Sequence, residues 1–163
     1  MPARLARAMP VLRGARWGHA VGVLAGVLVL LEGLAALPQA PVPATPAALT
    51  SAYADAVRPP LLVLPSDQTI DPLVMLWSTD HFPAMVNGMS GFTPAEQAQL
   101  RVGTAHFPDA ASVALLRRFG VRTVVVLRDR VVGTPWGGAA DAPIAGLGIT
   151  RQDIGDAVVY SLD

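Results

Sequence analysis

Four polar side chains that could do chemistry lie close together in one short stretch, residues 76–92 (LWSTDHFPAMVNGMSGF). Asp80 and His81 could act as a carboxylate–imidazole pair, with the imidazole as general acid, general base or ligand. Asn87 and Ser90 are hydrogen-bonding groups able to contact a ligand or a partner. We therefore treat these four residues as candidate contacts, and we assign no residue to catalysis.

The same stretch also has a structural interpretation. Its apolar residues predict that most of it is buried, and a buried loop must satisfy its own backbone polar groups. Asn, Ser, Thr and His side chains can do this. Side chains adjacent in sequence, such as those of Asp80 and His81, often point apart, and capping is the simpler task for Asp80. Both interpretations stay open at the level of sequence.

Composition and motifs exclude several classes of protein. With no cysteine among 163 residues, there is no disulfide framework, thiolate metal site or cysteine nucleophile. There is also no Walker loop, GxGxxG, HExxH or GxSxG motif. The 12 basic residues, all arginine, are too dispersed for a nucleic-acid-binding surface. We therefore expect no metal, no cofactor and no nucleic-acid partner.

An uneven charge distribution indicates a membrane segment near the N-terminus. Residues 1–16 hold four arginines and no acid, and residues 17–37 form an apolar run whose only charged or imidazole side chains are His19 and Glu32. A helix of that length spans about 31 Å, enough for a bilayer core of about 30 Å. Arginines before the run and none directly after it predict a cytoplasmic N-terminus, one transmembrane helix over 17–37 and an extracytoplasmic remainder at the cell membrane.

A cleaved signal peptide is the alternative for this segment. The uninterrupted apolar core, residues 20–31, is short, and the small residues Gly33 and Ala35 have a spacing suited to cleavage. Because apolar residues continue past Glu32 as far as Leu37, the sequence favours the uncleaved anchor.

A proline-rich spacer, residues 38–46 (PQAPVPATP), separates the anchor from a folded domain over residues 47–163. Its four prolines favour an extended, stiff conformation. Thr45 and Pro46 are typical of a helix start, as N-cap and first helical residue. The buried face of that helix would consist of residues at four-residue spacing, Leu49, Tyr53 and Val57.

Alternating helix and strand patterns predict a small α/β domain. Residues 61–64 and 121–127 (VRTVVVL) are typical of buried strands, and the second is predicted to be central because it is apolar on both faces. Residues 148–152 and 157–162 predict two last strands, joined by a hairpin turn at 153–156. The predicted fold class is α/β, with one N-terminal transmembrane helix followed by a small sheet layered with helices and ending in a β-hairpin.

Capping signals predict helices around these strands. Asp71 is expected to cap a short helix with Pro72 in its first turn. Thr93 and Glu96 form a capping-box pattern at the start of another helix, which ends near Gly103.

Two more helices are predicted further along the chain. Asp109 is expected to cap the first, which Gly120 ends. Its buried face consists of Val113, Leu116 and Phe119. A weaker helix is predicted around residues 139–145, and Trp136 before it is expected to pack as a lid.

Two motifs carry a resemblance to a known family, namely a loop with Asn-Gly-x-Ser-Gly-Phe at its core and a later apolar segment. The matching residues are Ser78, Thr79, His81, Pro83, Val86, Asn87, Gly88, Ser90, Gly91 and Phe92, then Leu115, Leu116, Gly120, Val121, Arg122 and Val124 to Val126. With these motifs, the chain resembles the C-terminal end of bacterial polytopic membrane proteins related to the C-superfamily glycosyltransferases, which use polyprenyl-phosphate sugars. The resemblance covers essentially the whole chain.

The resemblance implies an outer domain whose partners are the lipid bilayer, a polytopic membrane protein and a polyprenyl-phosphate-linked sugar. Met89 departs from it where an aromatic residue is expected, and Phe82 where tryptophan is expected. The catalytic carboxylate of the family is expected in the first outer loop of a multi-helix membrane domain, for which this sequence has no counterpart. No catalytic residue is therefore carried over.

Three functions follow as hypotheses. The first is a membrane-anchored, extracytoplasmic domain with an accessory or structural role, which is not catalytic alone. The second is a fragment of an active polyprenyl-phosphate-sugar transferase that an upstream polypeptide completes. The third is a secreted module that binds glycan. The arginine asymmetry and the missing acidic site favour the first.

Overall fold

The structure, a computed structural model, describes residues 11–34 and 41–162, with side chains from residue 17 onward. The chain divides into two compact units between Val42 and Pro43. The first unit contains helix α1 (Val11–Gly33), whose described side chains are all exposed.

No helix within the two described ranges is both long enough and apolar enough to cross a membrane. The predicted arginine-rich segment lies mainly outside these ranges, as do residues 35–37 of the predicted anchor and residues 38–40 of the spacer. The transmembrane helix therefore stays a prediction.

The second unit is built on a four-stranded sheet, which confirms the α/β class of this part of the chain. The strands are β1 (Leu61–Leu64), β2 (Thr123–Leu127), β3 (Thr150–Ile154) and β4 (Ala157–Ser161). Their spatial order is β1-β2-β4-β3, so β2 is central as predicted. β1 runs parallel to β2, whereas β4 is antiparallel to both of its neighbours.

The terminal hairpin is confirmed with a shift of its first strand. β3 lies two residues later than predicted, and Ile154 pairs with Ala157. Only Gly155 and Asp156 remain in the turn, where Gly155 adopts a φ of 60°. A two-residue turn of this kind favours glycine at a positive φ.

Helices cover both faces of the sheet. They are α2 (Asp71–Trp77), α3 (Ala95–Gly103), α4 (Ala110–Arg118) and the four-residue α5 (Arg128–Val131). Three 3-10 turns accompany them, at Ala47–Leu49, Ser51–Tyr53 and Ser78–Asp80.

Strand residues alternate between two separate cores. Leu62 and Val124 belong to a core with α3 and α4, whereas Val63 and Val125 belong to a core with α2 and the first 3-10 turn. Successive side chains of a strand point to opposite faces, so a strand covered on both faces is apolar throughout. The architecture is therefore a sheet between two layers of helices and turns.

The prediction of a helix starting at Thr45 and Pro46 is wrong, because this segment forms two 3-10 turns. Thr50 is extended between them, and its hydroxyl donates to the Ala47 carbonyl oxygen over 2.8 Å. Such a local bond competes with helix propagation. Leu49 and Val57 are buried as predicted, but Tyr53, which the continuous helix would have buried, is exposed.

Besides the cap at Thr45, three helix caps were predicted, and two of these are also wrong. The residue preceding α2 is Ile70, and Asp71 lies inside the helix and is fully buried. The residue preceding α3 is Pro94, so the pattern of Thr93 and Glu96 is out of register with the helix and makes no side-chain cap.

The third cap is confirmed. Asp109 Oδ1 accepts from the backbone N–H of Ser112 over 2.7 Å, and the Ser112 hydroxyl accepts from the backbone N–H of Asp109 over 3.1 Å. The backbone bond from Ser112 lowers the pKa of Asp109 below its ordinary value. Gly120 follows α4 with a φ of 72°, as a stop signal requires.

The weak helix predicted at 139–145 is wrong, because this segment forms turns. The carbonyl of Ala139 accepts instead from the buried Tyr160 hydroxyl over 2.7 Å. Burial raises the pKa of Tyr160. Trp136 is buried in the same core, as predicted for a packing residue.

Candidate functional site

The segment 76–92 leaves the end of α2 and returns along the outer edge of β1. Leu61 donates to the Ala84 carbonyl over 3.0 Å, and Val86 donates to the Leu61 carbonyl over 2.8 Å. An unpaired strand edge is a liability, and the returning loop covers part of it. The candidate residues are therefore carried on a loop that is tied to the sheet.

The prediction that most of this loop is buried is wrong. Phe82 and Phe92 are each 75% exposed, and Leu76 and Met89 are exposed as well. The buried members are Trp77, whose indole Nε1 donates to the Pro43 carbonyl over 3.0 Å, and Asn87.

Phe82 combines exposure with an unusual backbone conformation. Its φ of 48° makes it the one non-glycine residue in the left-handed region among those that the structure describes. For a bulky residue this conformation costs about 1–3 kcal/mol. Its amide donates to the Ser78 carbonyl over 2.7 Å, which holds the turn.

Asp80 and His81 are neighbours but do not form a tight pair. Asp80 Oδ2 lies 3.6 Å from His81 Nδ1 and accepts from the backbone N–H of Ser51 over 3.2 Å. His81 Nδ1 is buried and has no hydrogen-bond partner. Asp80 thus accepts from the first residue of the 3-10 turn Ser51–Tyr53. This role resembles the helix cap that the sequence suggested.

The buried Asn87 side chain is hydrogen-bonded to the backbone of β1. Its Oδ1 accepts from Val63 N over 2.6 Å, and its Nδ2 donates to Val63 O and to Asp71 Oδ1, each over 2.8 Å. The side chain therefore bonds β1 in the way that a neighbouring strand would. Both Nδ2 donor positions are occupied, which agrees with the structural interpretation of this residue.

Ser90 lies on the exposed part of the loop. Its hydroxyl donates to the Phe92 carbonyl and accepts weakly from the Phe92 amide over 3.4 Å. No hydrogen bond or ion pair among the described residues joins Ser90 or Asn87 to the Asp80–His81 pair. The four candidates thus do not form one catalytic constellation.

A buried polar network centred on Asp71 is the feature that sequence reasoning missed. The Asp71 carboxylate accepts from Arg101 Nη2 over 2.7 Å and from Asn87 over 2.8 Å. Ser66 Oγ and Gln97 Nε2 each donate to it over 3.3 Å. A fully buried charge needs such pairing and hydrogen bonding.

The sequence did contain a signal for this network. Gln97 and Arg101 stand four residues apart, a spacing that places two side chains on one face of α3. Leu100 of the same helix is buried, so Gln97 and Arg101 on that face need a hydrogen-bond acceptor inside the domain. The Asp-Pro pair at 71–72 concealed that partner because it is also typical of a helix start.

Two surface grooves adjoin this network. One, of 410 Å³, lies between the loop and α3 and is mostly apolar, with Met75, Val86, Met89, Pro94 and Phe119 among its lining residues. The other, of 650 Å³, is lined by Arg101, Val102 and Ala105 and by residues that follow β1 and β2, including Ser66 and Trp136.

The described residues contain no group of three or more His, Cys, Asp or Glu side chains placed to hold a metal ion. A separate, exposed charge cluster joins Arg128 to Asp141 and Asp153. The hydrogen bond to Asp153 raises the pKa of Arg128, and the same bond lowers the pKa of Asp153. Exposed pairs of this kind contribute little to stability.

No protein-family model, no curated protein and no solved structure matches this chain.

Proposed function

We propose that this chain is a membrane-anchored accessory domain, which is not catalytic alone and docks through residues 76–92 on a polytopic membrane protein. The N-terminal apolar run forms the anchor, and residues 47–163 lie outside the cytoplasm. The chain resembles the end of polyprenyl-phosphate-sugar transferases, and the partner in this proposal is the membrane domain that such an end would accompany.

The observation that carries this proposal is the conformation and exposure of Phe82. A backbone strain persists only where the surrounding structure holds it, and strained residues are concentrated at functional sites. Here the strained residue is Phe82, whose aromatic side chain is 75% exposed to solvent. Large exposed aromatic residues are typical of interaction surfaces.

The neighbouring side chains extend the same surface. Phe92 and Met89 are exposed on the loop, and the apolar groove of 410 Å³ begins beside Met89. The buried Trp77 and Asn87 fix the loop to the domain. A loop with rigid buried anchors and apolar exposed tips is suited to docking, because little conformational freedom is lost on binding.

The same geometry favours an accessory role over catalysis. General acid–base catalysis needs a positioned group with a free proton-transfer position. Asp80 Oδ2 is bonded to Ser51, Asn87 to β1 and Asp71, and Ser90 to Phe92. His81 Nδ1 has no hydrogen-bond partner, but this atom is buried and therefore does not face a substrate. Asp71, the buried carboxylate, is fully enclosed by its donors and cannot reach a substrate.

Site-specific photo-crosslinking in intact cells tests the docking. A photoreactive residue substituted at Phe82 or Phe92 should crosslink to a membrane-embedded polypeptide. The matched control is Val132, an apolar residue outside the loop that is 77% exposed. Equal crosslinking at Val132, or none at either loop position, would refute the docking surface.

The variant Phe82→Gly separates docking from folding. Glycine tolerates a positive φ, so the free energy of unfolding should stay unchanged or rise, while crosslinking from Phe92 should fall. The purified full chain in detergent should show no turnover with a panel of polyprenyl-phosphate sugars. Turnover that a stably folded His81→Ala variant loses would establish an enzyme instead.

A further inference from the structure

The β3 strand forms one outer edge of the sheet. The strand order is β1-β2-β4-β3, so within the described part of the chain β3 has a neighbouring strand on one side only. Residues 150–153 are exposed or half-buried, whereas Ile154 at the end of the strand is buried. The edge of such a strand presents backbone N–H and C=O groups that can pair with another strand.

The pairing of β3 with β4 determines which backbone groups of β3 face this edge. Ile154 and Ala157 flank the two-residue turn, and a pair in that position exchanges its backbone hydrogen bonds. Bonded and non-bonded pairs alternate along an antiparallel ladder, so Gln152 also bonds to β4, whereas Arg151 and Asp153 do not. The backbone N–H and C=O groups of Arg151 and Asp153 therefore point away from β4, and no backbone hydrogen bond from another described element reaches them.

The side chains of the same two residues carry opposite charges. Arg151 and Asp153 lie on one face of the sheet because they are two positions apart in a strand, and Arg151 Nη2 is 3.7 Å from Asp153 Oδ1. Arg128 pairs with Asp153 and with Asp141 on the same face. The cluster thus combines two arginines with two aspartates, and the edge carries no surplus of charge that would repel a second copy of the chain.

A second copy of the same strand complements this charge pattern in one register. An antiparallel pair can form only where the outward-facing residues of both strands oppose each other, and near the middle of β3 such pairs are centred on Arg151, Gln152 or Asp153. A pair centred on Arg151 or Asp153 sets like charges directly opposite, which is unfavourable. A pair centred on Gln152 instead sets Arg151 of each copy opposite Asp153 of the other, and opposite charges in this position are stabilising.

We propose that β3 is a docking edge for a second copy of this chain, whose β3 strand pairs with it in antiparallel orientation about Gln152. Arg151 and Asp153 of each copy exchange backbone hydrogen bonds with Asp153 and Arg151 of the other, so that the two sheets become continuous. A contact of one short strand from each copy buries little area, and the dimer is therefore weak and reversible. β1, which carries the loop 76–92, forms the opposite edge of the sheet, so this dimer does not depend on the function proposed for that loop.

Single-cysteine crosslinking tests the register, because the chain contains no cysteine of its own. In the proposed pair, position 152 opposes itself as a non-bonded pair with Cα atoms about 4.5 Å apart, a distance that a disulfide can bridge. The full-length Gln152→Cys variant in detergent should therefore form a disulfide-linked dimer under mild oxidation. Thr150→Cys is the matched control, since Thr150 is exposed on the same face of β3. Its two copies would lie about 13 Å apart along the strand, too far for a disulfide.

Charge reversal tests the cross-strand pairs. Arg151→Asp leaves two negative side chains on this part of the edge and Asp153→Arg leaves two positive ones, so each variant alone sets like charges opposite one another. Each should weaken dimerisation of the full chain in detergent about tenfold, measured by sedimentation equilibrium. An equimolar mixture of the two variants should form mixed dimers. The double variant Arg151→Asp/Asp153→Arg should dimerise as the unmodified chain does, because opposite charges again face each other.

We expect the crosslink at position 152 to form faster than that at position 150, and the two charge variants to dimerise better together than alone. Equal crosslinking at both positions, or no crosslink at position 152, would overturn the proposal. So would undiminished dimerisation of Arg151→Asp and Asp153→Arg while both remain folded by their thermal unfolding, because a contact elsewhere in the chain would then join the copies.

Discussion

At the scale of single residues, Asn87 links the exposed loop to the interior. It replaces a strand neighbour for Val63 and also donates to the buried Asp71 carboxylate. A side-chain amide has one acceptor and two donors, and all are used here. The residue is therefore a determinant of the fold at the point where the loop meets the sheet.

Replacing Asn87 with alanine should destabilise the domain by about 2 kcal/mol or more, because each buried polar group left unpaired costs about 1–3 kcal/mol. Both backbone groups of Val63 and one bond to Asp71 would lose their partner. Denaturant unfolding followed by tryptophan fluorescence measures the change. Ser90→Ala, on an exposed residue of the same loop, is the control and should change stability by less than about 0.5 kcal/mol. Equal effects of the two substitutions would contradict this role.

The Asp71–Arg101 pair shows how context changes a residue's task. An aspartate before a proline predicts a helix cap from local sequence alone. In the folded domain its carboxylate is buried among four donors from Ser66, Asn87, Gln97 and Arg101. Asn87, Gln97 and Arg101 lie 16, 26 and 30 residues from Asp71, so the sequence around Asp71 did not reveal them as its partners.

At the scale of elements, β2 organises the domain. Its residues are all buried, and its two neighbours run in opposite directions relative to it. Val124 and Val126 pack toward α3 and α4, and Val125 packs toward α2. The strand is thus enclosed on both faces and on both edges.

A carboxylate at position 125 should be strongly destabilising. Val125→Asp would bury an unpaired charge in the centre of the sheet and should cost about 4 kcal/mol or more, or prevent folding. Val132→Asp places the same side chain at an exposed site and should be close to neutral. Thermal unfolding of both variants measures this difference, and wild-type stability of Val125→Asp would mean that the strand is not central in solution.

The loop 76–92 is an element without regular structure, and its two ends explain its behaviour. It begins inside α2, is fixed to the edge of β1 by Asn87 and ends at Phe92. Trp77 and Met85 pack against the core on the α2 face, whereas Phe82, Met89 and Phe92 are exposed. Their exposure follows from the position of the loop rather than from its composition.

At the scale of the whole molecule, the arginine asymmetry predicts the orientation of the chain. Four arginines precede the apolar run 17–37, so we expect a cytoplasmic N-terminus and an outer C-terminus. A reporter active only outside the cytoplasm, fused at the C-terminus, should be active, and the mature protein should keep its N-terminus. A reporter that is active only inside the cytoplasm, fused at the same position, should be inactive. Activity of that reporter, or cleavage after Ala35, would refute this topology. Substituting Arg13 and Arg16 by glutamine should lower the outside signal if these charges set the orientation.

The sequence alone determined the α/β class, the strand β1, the central position of β2, the cap at Asp109 and the terminal hairpin. These features depend on neighbouring residues, through apolar runs, capping hydrogen bonds and the positive φ of glycines. The packing of Trp136 also agreed with its prediction.

Tertiary structure alone decided the burial of the loop, the role of Asp71 and the two grooves. Whether Phe82 is exposed depends on what other elements already cover, and whether Asp71 caps or pairs depends on Arg101, thirty positions away. The groove of 650 Å³ combines residues that follow β1, residues that follow β2 and residues of α3, although 58 residues separate Leu64 from Thr123. Contacts between residues distant in the chain are set by the packing of the whole domain, which local patterns of charge and hydrophobicity do not encode.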